Sequence, residues 1–469
     1  RNIPSIAFLP DRIRKGCGVP AWWQTKATNG RSVPLLDACW RVRDAGLAYA
    51  VPFMSAPGWS EMFRVFGRIG VLSFGGPAAQ IALMHRELVE RHAWLNEAEY
   101  LRALSLCMLL PGPEAMQLAT YAGWRLRGIS GGLLAGLLFV LPGAVLIGFL
   151  ALGYVAFGQV PLVQAAFLGL KAAVIIVVFQ ALRSLARRAL DGTEAVVLAG
   201  LSFVALFVLG LPFPLIILVA GLWGGLRQPG DVPAVEMIDA PQAQSVRTLV
   251  LWGGLWATPL VVLWVMGQDF LLQLGLFFSK LAVVTFGGAY AVLAYMTQSV
   301  VQDYGWITTE QMIDALGLAE TTPGPLILVT EFVALLAGFA QSGPSGAIAA
   351  GLLALWVTFT PCFLWIFLAG PYLEKISGQP RLAAALRAIT AAVVGVIANL
   401  SVWFALHVLF DRISPAAILA MPLPDWSSFN LAGFGLTVLA GVLMVVWARG
   451  FVLTMCITGL TALLVGTIL

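Results

Sequence analysis

A repeated pair of helix-breaking motifs constrains this chain more than any other feature. Residues 73–77 have the sequence SFGGP, and residues 285–289 have the similar sequence TFGGA. The sequence PGP occurs at 111–113 and again at 323–325, and the offset 323 − 111 equals the offset 285 − 73. Glycine and proline interrupt helices, and here they do so inside long apolar sequence. The equal offsets therefore predict two copies of one structural unit.

The composition predicts that both copies lie in a membrane. Apolar residues make up 60% of the chain and charged residues 11%, whereas a soluble domain carries about 25% charged residues. Beyond residue 129, apolar runs approach the ~20 residues that a helix needs to cross a bilayer. We therefore predict an all-α polytopic membrane protein.

Each copy is predicted to begin with two broken-helix, or re-entrant, hairpins with a motif at each tip, followed by transmembrane spans. The apolar pieces beside each motif are too short to cross a membrane alone. Full spans kinked at Gly and Pro are the alternative. Residues 1–58 are predicted to form a poorly ordered cytoplasmic extension, and a membrane-surface anchor is the alternative for them. The other predicted domains are a first repeat over 59–226, a cytoplasmic linker plus a connecting transmembrane helix over 227–269, and a second repeat over 270–469.

Beyond the motifs, the register of the repeat changes. Pro142 matches Pro361, and the offset 361 − 142 is larger than 285 − 73, so the second copy contains extra residues. We expect them in the segment 341–345, with the sequence QSGPS, because Gly, Ser and Pro are typical of loops.

The placement of basic residues predicts that the two copies have opposite orientations. Basic residues precede the span 129–155, whereas its counterpart 345–369 has them only beyond its end. Basic residues favour the cytoplasmic side of a membrane, so the copies form an inverted repeat, as in secondary transporters. The single span 248–266 reverses the orientation, which puts the N-terminus in the cytoplasm and the C-terminus outside.

A helix broken within the membrane presents unpaired N–H groups and the positive end of its dipole. Because helix N-termini bind tetrahedral oxyanions, we predict an anion site where the breaks converge. Close helix packing at glycine is the alternative for any single motif. The predicted substrate-binding residues are Ser73, Gly75, Gly76, Pro77, Gln80, Pro111, Gly112, Pro113, Lys171, Thr285, Gly287, Gly288, Thr322, Pro323, Gly324 and Pro325.

Four charged residues are candidates for roles near this site. Lys171 interrupts an apolar run, and it is either a charge partner of the substrate or a snorkelling or ion-paired lysine. Glu114, Glu320 and Glu331 lie beside or near the Pro-Gly-Pro motifs. Each is either a proton carrier coupled to transport or a structural carboxylate. Glu114, which follows Pro113 directly, would in the second case offset a helix dipole. Ionised carboxylates repel a dianion, so the three are not all ionised beside it.

Other chemistry finds little support in the sequence. Five cysteines lack CxxC spacing and three histidines are isolated, which predicts no metal site and no cofactor. No nucleotide-binding motif is present, and we expect no nucleic-acid partner. A membrane-embedded enzyme would need a catalytic constellation, which we do not find, and an anion channel is a further alternative. The expected partners are the anion and the lipid bilayer, with a homodimer left open.

Residues 66–76, the stretch that follows to Trp94, and the LPGP sequence at 110–113 resemble the chromate ion transporter family in its long two-domain form. The resemblance covers residues 60–469 and departs at Ala289, where the first copy has Pro77. It implies export of chromate, a dianion of sulfate-like shape, across a bacterial inner membrane, and resistance to chromate. Sulfate or another oxyanion is the alternative substrate, because the residues alone predict only a tetrahedral anion.

Overall fold

The computed structural model describes residues 57–158, 160–227, 242–286, 289–373, 379–415 and 422–468. These residues are helical almost throughout. Within them, five helices are long and apolar enough to cross a membrane, which confirms an all-α polytopic membrane protein. The predicted extension 1–58 lies outside the described residues except at its last two positions, as do linker residues 228–241. The five helices are Glu114–Phe157, Pro161–Ala189, Ser245–Val265, Leu326–Tyr372 and Pro380–Leu409.

The first copy of the repeated unit opens with two broken helices. The first ends before Ser73 and resumes at Gly76, and the second ends before Pro111 and resumes at Glu114. A π-helical turn over Arg86–Arg91 extends the second piece of the first broken helix. The helices are α1 (Trp59–Leu72), α2 (Gly76–His85), α3 (Glu97–Leu109), α4 (Glu114–Phe157), α5 (Pro161–Ala189), α6 (Thr193–Phe207) and α7 (Phe213–Arg227).

The second copy repeats this order after a connecting helix, α8 (Gln242–Val265). Its π-helical turn, Gln298–Asp303, follows the first one at the same offset as the motifs, since 298 − 86 equals 285 − 73. A short antiparallel hairpin of β1 (Ile413–Pro415) and β2 (Pro422–Pro424) precedes the last two helices. The helices are α9 (Asp269–Val284), α10 (Ala289–Thr297), α11 (Thr309–Thr321), α12 (Val329–Ala369), α13 (Pro380–Leu409), α14 (Leu431–Gly441) and α15 (Phe451–Ile468).

Both α4 and α12 reverse direction at a two-residue break. Arg127 and Gly128 have φ/ψ of −143°/29° and 66°/−156°, and Ser342 and Gly343 have −146°/22° and 66°/−153°. The helical pieces before and after each break then pack backbone against backbone, because a Cβ on either of two facing glycines would overlap the other's carbonyl oxygen. These glycine pairs are Gly123 with Gly131 and Gly338 with Gly346.

The prediction that the extra residues of the second copy lie at 341–345 is wrong. This segment contains the reversal at Gly343, whose counterpart is Gly128, and the offset 343 − 128 exceeds 323 − 111 by three. Three extra residues therefore precede the reversal, and they form the 3₁₀ turn Leu326–Leu328 ahead of α12. The rest follow it, since the starts of α5 and α13 are offset further, by 380 − 161. The Gly-Pro signal at 341–345 marked a reversal that both copies share.

The two copies exchange their last helices. In the first copy α6 and α7 pack against α13, and in the second copy α14 and α15 pack against α5. Small residues permit this close approach, as where Gly395 meets the backbone of Ala199 and where the Thr458 hydroxyl donates to the Gly169 carbonyl at 3.0 Å. Because α5 and α13 also contact each other, they form the centre around which the copies assemble. The inverted orientation of the copies stays a prediction.

Candidate anion site at the helix breaks

The first break depends on two consecutive glycines in a conformation that other residues rarely adopt. Gly75 and Gly76 have φ of +88° and +77°, which a Cβ would strain. Pro77 then stands in the first turn of α2, where its missing N–H costs no hydrogen bond. The remaining N–H groups of that first turn have no partner within the helix. This break therefore presents the dipole end that an anion site requires.

The second break is held open at Gly112. Its φ is +120°, and a Cβ there would lie 2.8 Å from Gln117 Nε2 and 3.0 Å from Cys362 Sγ. Gln117 Nε2 donates to the Pro111 carbonyl at 2.7 Å, which ties the motif to the first turn of α4. Only glycine satisfies both the conformation and the available space at this position.

Breaks from the two copies meet in reciprocal pairs. The Gly112 N–H donates to the Thr285 carbonyl at 2.9 Å, and the Gly324 N–H donates to the Ser73 carbonyl at 3.1 Å. Thus each Pro-Gly-Pro motif of one copy bonds to the other motif of the opposite copy. Four helix starts, those of α2, α4, α10 and the 3₁₀ turn before α12, follow these paired breaks in sequence.

One pair of breaks, Gly324 with Ser73, lies near the middle of a long helix. A Cβ on Gly143 would overlap the Pro323 carbonyl oxygen, so the second Pro-Gly-Pro motif packs directly on α4. The part of α4 from Gly128 to Phe157 is about 44 Å long, and Gly143 lies roughly 22 Å along it. This pair therefore lies about halfway along a helix long enough to cross a membrane.

The side-chain donors predicted for the anion are engaged elsewhere. Gln80 is buried, and its Nε2 donates to the carbonyls of Ser73 at 3.1 Å and Gly324 at 2.7 Å, so it holds the two copies together. The hydroxyls of Ser73, Thr285 and Thr322 donate to backbone carbonyls three or four residues earlier, at 2.5, 2.6 and 2.9 Å. Backbone N–H groups at the helix starts are thus the donors that this arrangement offers to an anion. Gly287 and Gly288 lie outside the described residues.

Lys171 is paired with a carboxylate of α11. Its Nζ is 3.5 Å from Asp314 Oδ1, and the Tyr154 hydroxyl donates to Asp314 Oδ2 at 2.8 Å. Asp314 is only 4% exposed, whereas the side chain of Lys171 is 18% exposed, so the carboxylate is shielded from solvent and the ammonium group only in part. The structure thus shows the ion-paired alternative for Lys171, with its positive charge beside Asp314.

The three predicted coupling carboxylates have different surroundings. Glu114 is half-buried at the first residue of α4. Glu320 is buried and accepts a hydrogen bond from the Tyr290 hydroxyl at 2.6 Å. Glu331 is 6% exposed, and its Oε2 has no hydrogen-bond partner among the described residues. Of the three, Glu331 is therefore the carboxylate whose ionised form is least stabilised by hydrogen bonds or solvent.

Three partners in these networks, Asp314, Tyr154 and Tyr290, were not among the predicted site residues. Asp314 bonds to Tyr154 across 160 residues of sequence, and no local pattern announces such a contact. The sequence signal for Asp314 is that an acidic residue interrupts a largely apolar helix, just as Lys171 interrupts an apolar run. Among the described residues, no cluster of His, Cys, Asp and Glu has the geometry to hold a metal ion.

The fold and the paired breaks define a class of protein, an α-helical polytopic membrane protein built from two copies of a broken-helix unit. A family model described as chromate transporter matches residues 60–225 and 272–466. The chain belongs to the chromate transporter family, which confirms the resemblance seen in the motifs. The match falls on both copies separately.

Curated relatives support this membership over most of the chain. The chromate transport protein of Cupriavidus metallidurans is 32% identical over 77% of this chain and 86% of its own length. The chromate transport protein of Pseudomonas aeruginosa is 32% identical over 76% of this chain and 83% of its own length. An uncharacterised transporter of Methanocaldococcus jannaschii is 26% identical over 75% of this chain and 86% of its own length. No solved structure matches the chain.

Proposed function

We propose that this protein is a secondary transporter that carries chromate, with the oxyanion bound where the four helix breaks meet. The reciprocal hydrogen bonds of Gly112 with Thr285 and of Gly324 with Ser73 carry this proposal. They pair breaks from both copies, and the N-terminal N–H groups of the helices that follow these breaks suit a tetrahedral dianion. The names of the relatives in Cupriavidus metallidurans and Pseudomonas aeruginosa favour chromate among oxyanions of this shape.

In the proposed site the backbone supplies the donors and the side chains supply the shape. Gly75, Gly76 and Gly112 let N–H groups approach the anion without a Cβ in the way. Pro77 and Pro113 fix the first turns of α2 and α4. We propose that Gln80 acts by holding these backbones in place across the two copies, whereas the hydroxyls of Ser73, Thr285 and Thr322 bond only to carbonyl oxygens of their own helices. Of the other predicted residues, Pro111, Pro323 and Pro325 have no N–H to donate and would only shape the site, the Gly324 N–H bonds to the Ser73 carbonyl, and Gly287 and Gly288 lie outside the described residues.

We propose that buried carboxylates couple proton movement to anion movement. Glu331 is the strongest candidate, because its Oε2 is buried with no hydrogen-bond partner among the described residues. A proton on Glu331 would remove the repulsion between this carboxylate and a nearby dianion. Glu320 shares its burial but already accepts a hydrogen bond from Tyr290, and Glu114 stands at the dipole end of α4.

We propose an inverted repeat in a bacterial inner membrane, with the N-terminus in the cytoplasm and the C-terminus outside. Chromate would then leave the cell down the membrane potential, which favours outward movement of a negative charge by ~2.3 kcal/mol per 100 mV. A dianion gains this energy twice if no compensating charge moves with it. Export in this direction would lower cytoplasmic chromate and give resistance to it.

Uptake of labelled chromate into liposomes that contain the purified protein tests the proposed function. We expect uptake that saturates with chromate concentration, that exceeds protein-free liposomes, and that an inside-positive potential accelerates. Competition by unlabelled sulfate ranks the two anions on the same preparation. Uptake no faster than in protein-free liposomes would contradict the proposal, and an unsaturable conductance would indicate a channel.

A further inference from the structure

The two copies differ in how far one equivalent helix face is buried. On α11 the residues Asp314, Gly317 and Glu320 are buried, with Asp314 at 4% and Glu320 at 8% exposure. Their counterparts on α3, at the offset of the motifs, are all exposed, including Met108 at 47%. The same sequence position thus faces a protein core in one copy and an open surface in the other. The counterparts on α3 are Arg102, Ser105 and Met108.

The neighbouring helix piece shows the same difference. On α10, Ala294 is 7% exposed and α10 packs against α13. Its counterpart on α2, Ala82, is exposed, as are Ala78 and Ala79 beside it. The helices α2 and α3 that adjoin the breaks of the first copy therefore both have an exposed face. In the second copy the counterparts of Ala82 and of the three exposed α3 residues are buried.

The covered face is closed by a specific contact between the copies. Gly317 of α11 meets Leu170 of α5, so closely that a Cβ on Gly317 would lie 2.5 Å from Leu170 Cγ. One turn away, Lys171 pairs with Asp314 at 3.5 Å, and Tyr154 of α4 donates to the same carboxylate. The contact thus joins a hairpin of the second copy to two helices of the first.

The equivalent contact in the first copy has different chemistry. The counterpart of Asp314 is Arg102, which is exposed, and the counterpart of Lys171 is Thr390, whose hydroxyl donates to the Leu386 carbonyl of its own helix at 2.7 Å. No charge pair is available between these two counterparts to close α3 against α13. A positive Arg102 on the open face would instead attract an anion toward the breaks.

We propose that Lys171, Asp314 and Tyr154 are positioning residues that close one end of the anion path, while the equivalent face of α3 in the first copy is uncovered. Transport then requires the contact between α11 and α5 to separate and a contact between α3 and α13 to form. Each copy would thereby adopt the arrangement of the other. This proposal rests on the proposed transport function. A partly buried ion pair suits such a contact, because desolvation offsets much of its attraction and the two charges can separate once more water enters.

Disulfide cross-linking at the closed contact tests this proposal. In the full chain without its native cysteines, Leu170→Cys with Gly317→Cys shortens one side chain while lengthening the facing one, so the packing is conserved. We expect fast cross-linking without chromate, loss of chromate uptake by the cross-linked protein, and recovery on reduction. The native positions to be replaced are Cys17, Cys39, Cys107, Cys362 and Cys456.

The equivalent pair in the first copy is the matched control. Ser105→Cys with Ile389→Cys occupies the positions that correspond to Gly317 and Leu170. We expect this pair to cross-link slowly in the resting protein and faster while chromate is being transported. Equal cross-linking of both pairs at rest, or full uptake by the protein locked at 170 and 317, would overturn the proposal.

A charge exchange keeps the proposal testable apart from the cysteines. Asp314→Lys combined with Lys171→Asp restores an opposite pair at the contact, whereas Lys171→Asp alone places two carboxylates together. We expect the exchange to retain uptake and the single change to lose it. Loss of uptake in both the exchanged variant and the single variant would overturn the proposal that this ion pair closes the anion path. If the wild-type protein itself moves no chromate, the transport proposal fails, and the two cross-linking rates are still measured separately.

Discussion

The hydroxyl groups at the breaks donate hydrogen bonds to carbonyl oxygens of the helices that end there. The Ser73 hydroxyl donates to Ile69 and the Thr285 hydroxyl to Leu281, in each case to the carbonyl four residues earlier. The last carbonyls of a helix lack an intrahelical donor, and these hydroxyls supply one. Residue type therefore predicted that polar groups cluster at the breaks, whereas their hydrogen-bond partners depend on local backbone geometry.

Gln80 should be more important than Ser73 for both stability and transport. Replacing Gln80 with Leu leaves the carbonyls of Ser73 and Gly324 without the donor that they share across the two copies. We expect this variant to lose about 1–3 kcal/mol of stability and most chromate uptake. Thermal unfolding of purified protein and liposome uptake provide the two measurements.

The matched control is Ser73→Ala, which removes a hydroxyl but keeps the carbonyl that Gln80 and Gly324 contact. It should unfold near the wild-type temperature and retain uptake, since its hydroxyl bonds only within α1. Wild-type uptake and stability in Gln80→Leu would show that this side chain does not hold the breaks together. Loss of uptake in Ser73→Ala, with normal stability, would assign the hydroxyl to the anion.

At the scale of elements, the sequence predicted where helices break better than how they continue. Gly and Pro identified the interruptions at 73–77 and 111–113, because few other residues accept those backbone conformations. The same logic failed at 341–345, since Gly343 marks a reversal and not an insertion. The insertion at Leu326–Leu328 is apolar, and its 3₁₀ geometry leaves no compositional signal.

Contacts between the copies were also beyond the reach of the sequence. The hydrogen bond between Gly112 and Thr285, and the pairing of Lys171 with Asp314, join residues far apart in the chain. Periodicity and turn chemistry report on neighbouring residues, so they predict that Lys171 is anomalous without naming its partner. The repeat itself was the exception, because the equal offsets of its motifs relate distant positions directly.

At the scale of the whole molecule, the exchange of final helices makes the two copies depend on each other. α6 and α7 rest on α13 of the second copy, while α14 and α15 rest on α5 of the first. Neither copy can bury these faces without the other. We therefore expect the copies to fold and unfold together, in keeping with a core that is continuous through both.

The proposed inverted repeat predicts that the chain ends lie on opposite sides of the membrane. An N-terminal tag should be accessible only after the cells are permeabilised, whereas a C-terminal tag should be labelled in intact cells, because the basic residues switch ends between the copies. An impermeant reagent applied to each tagged protein separately gives the answer. Labelling of both tags from one side would contradict the inversion, and permeabilised cells control for tag reactivity.

Chromate uptake by Gly112→Val tests most directly the claim that the anion binds at the paired breaks. A valine there clashes with Gln117 and Cys362 and strains a φ of +120°, so the paired break cannot form. The matched control is Gly253→Val on α8, where an added Cβ meets nothing within 4 Å. With equal amounts of both variants in the membrane, we predict background uptake for Gly112→Val and wild-type uptake for Gly253→Val. Wild-type uptake by Gly112→Val would contradict the site.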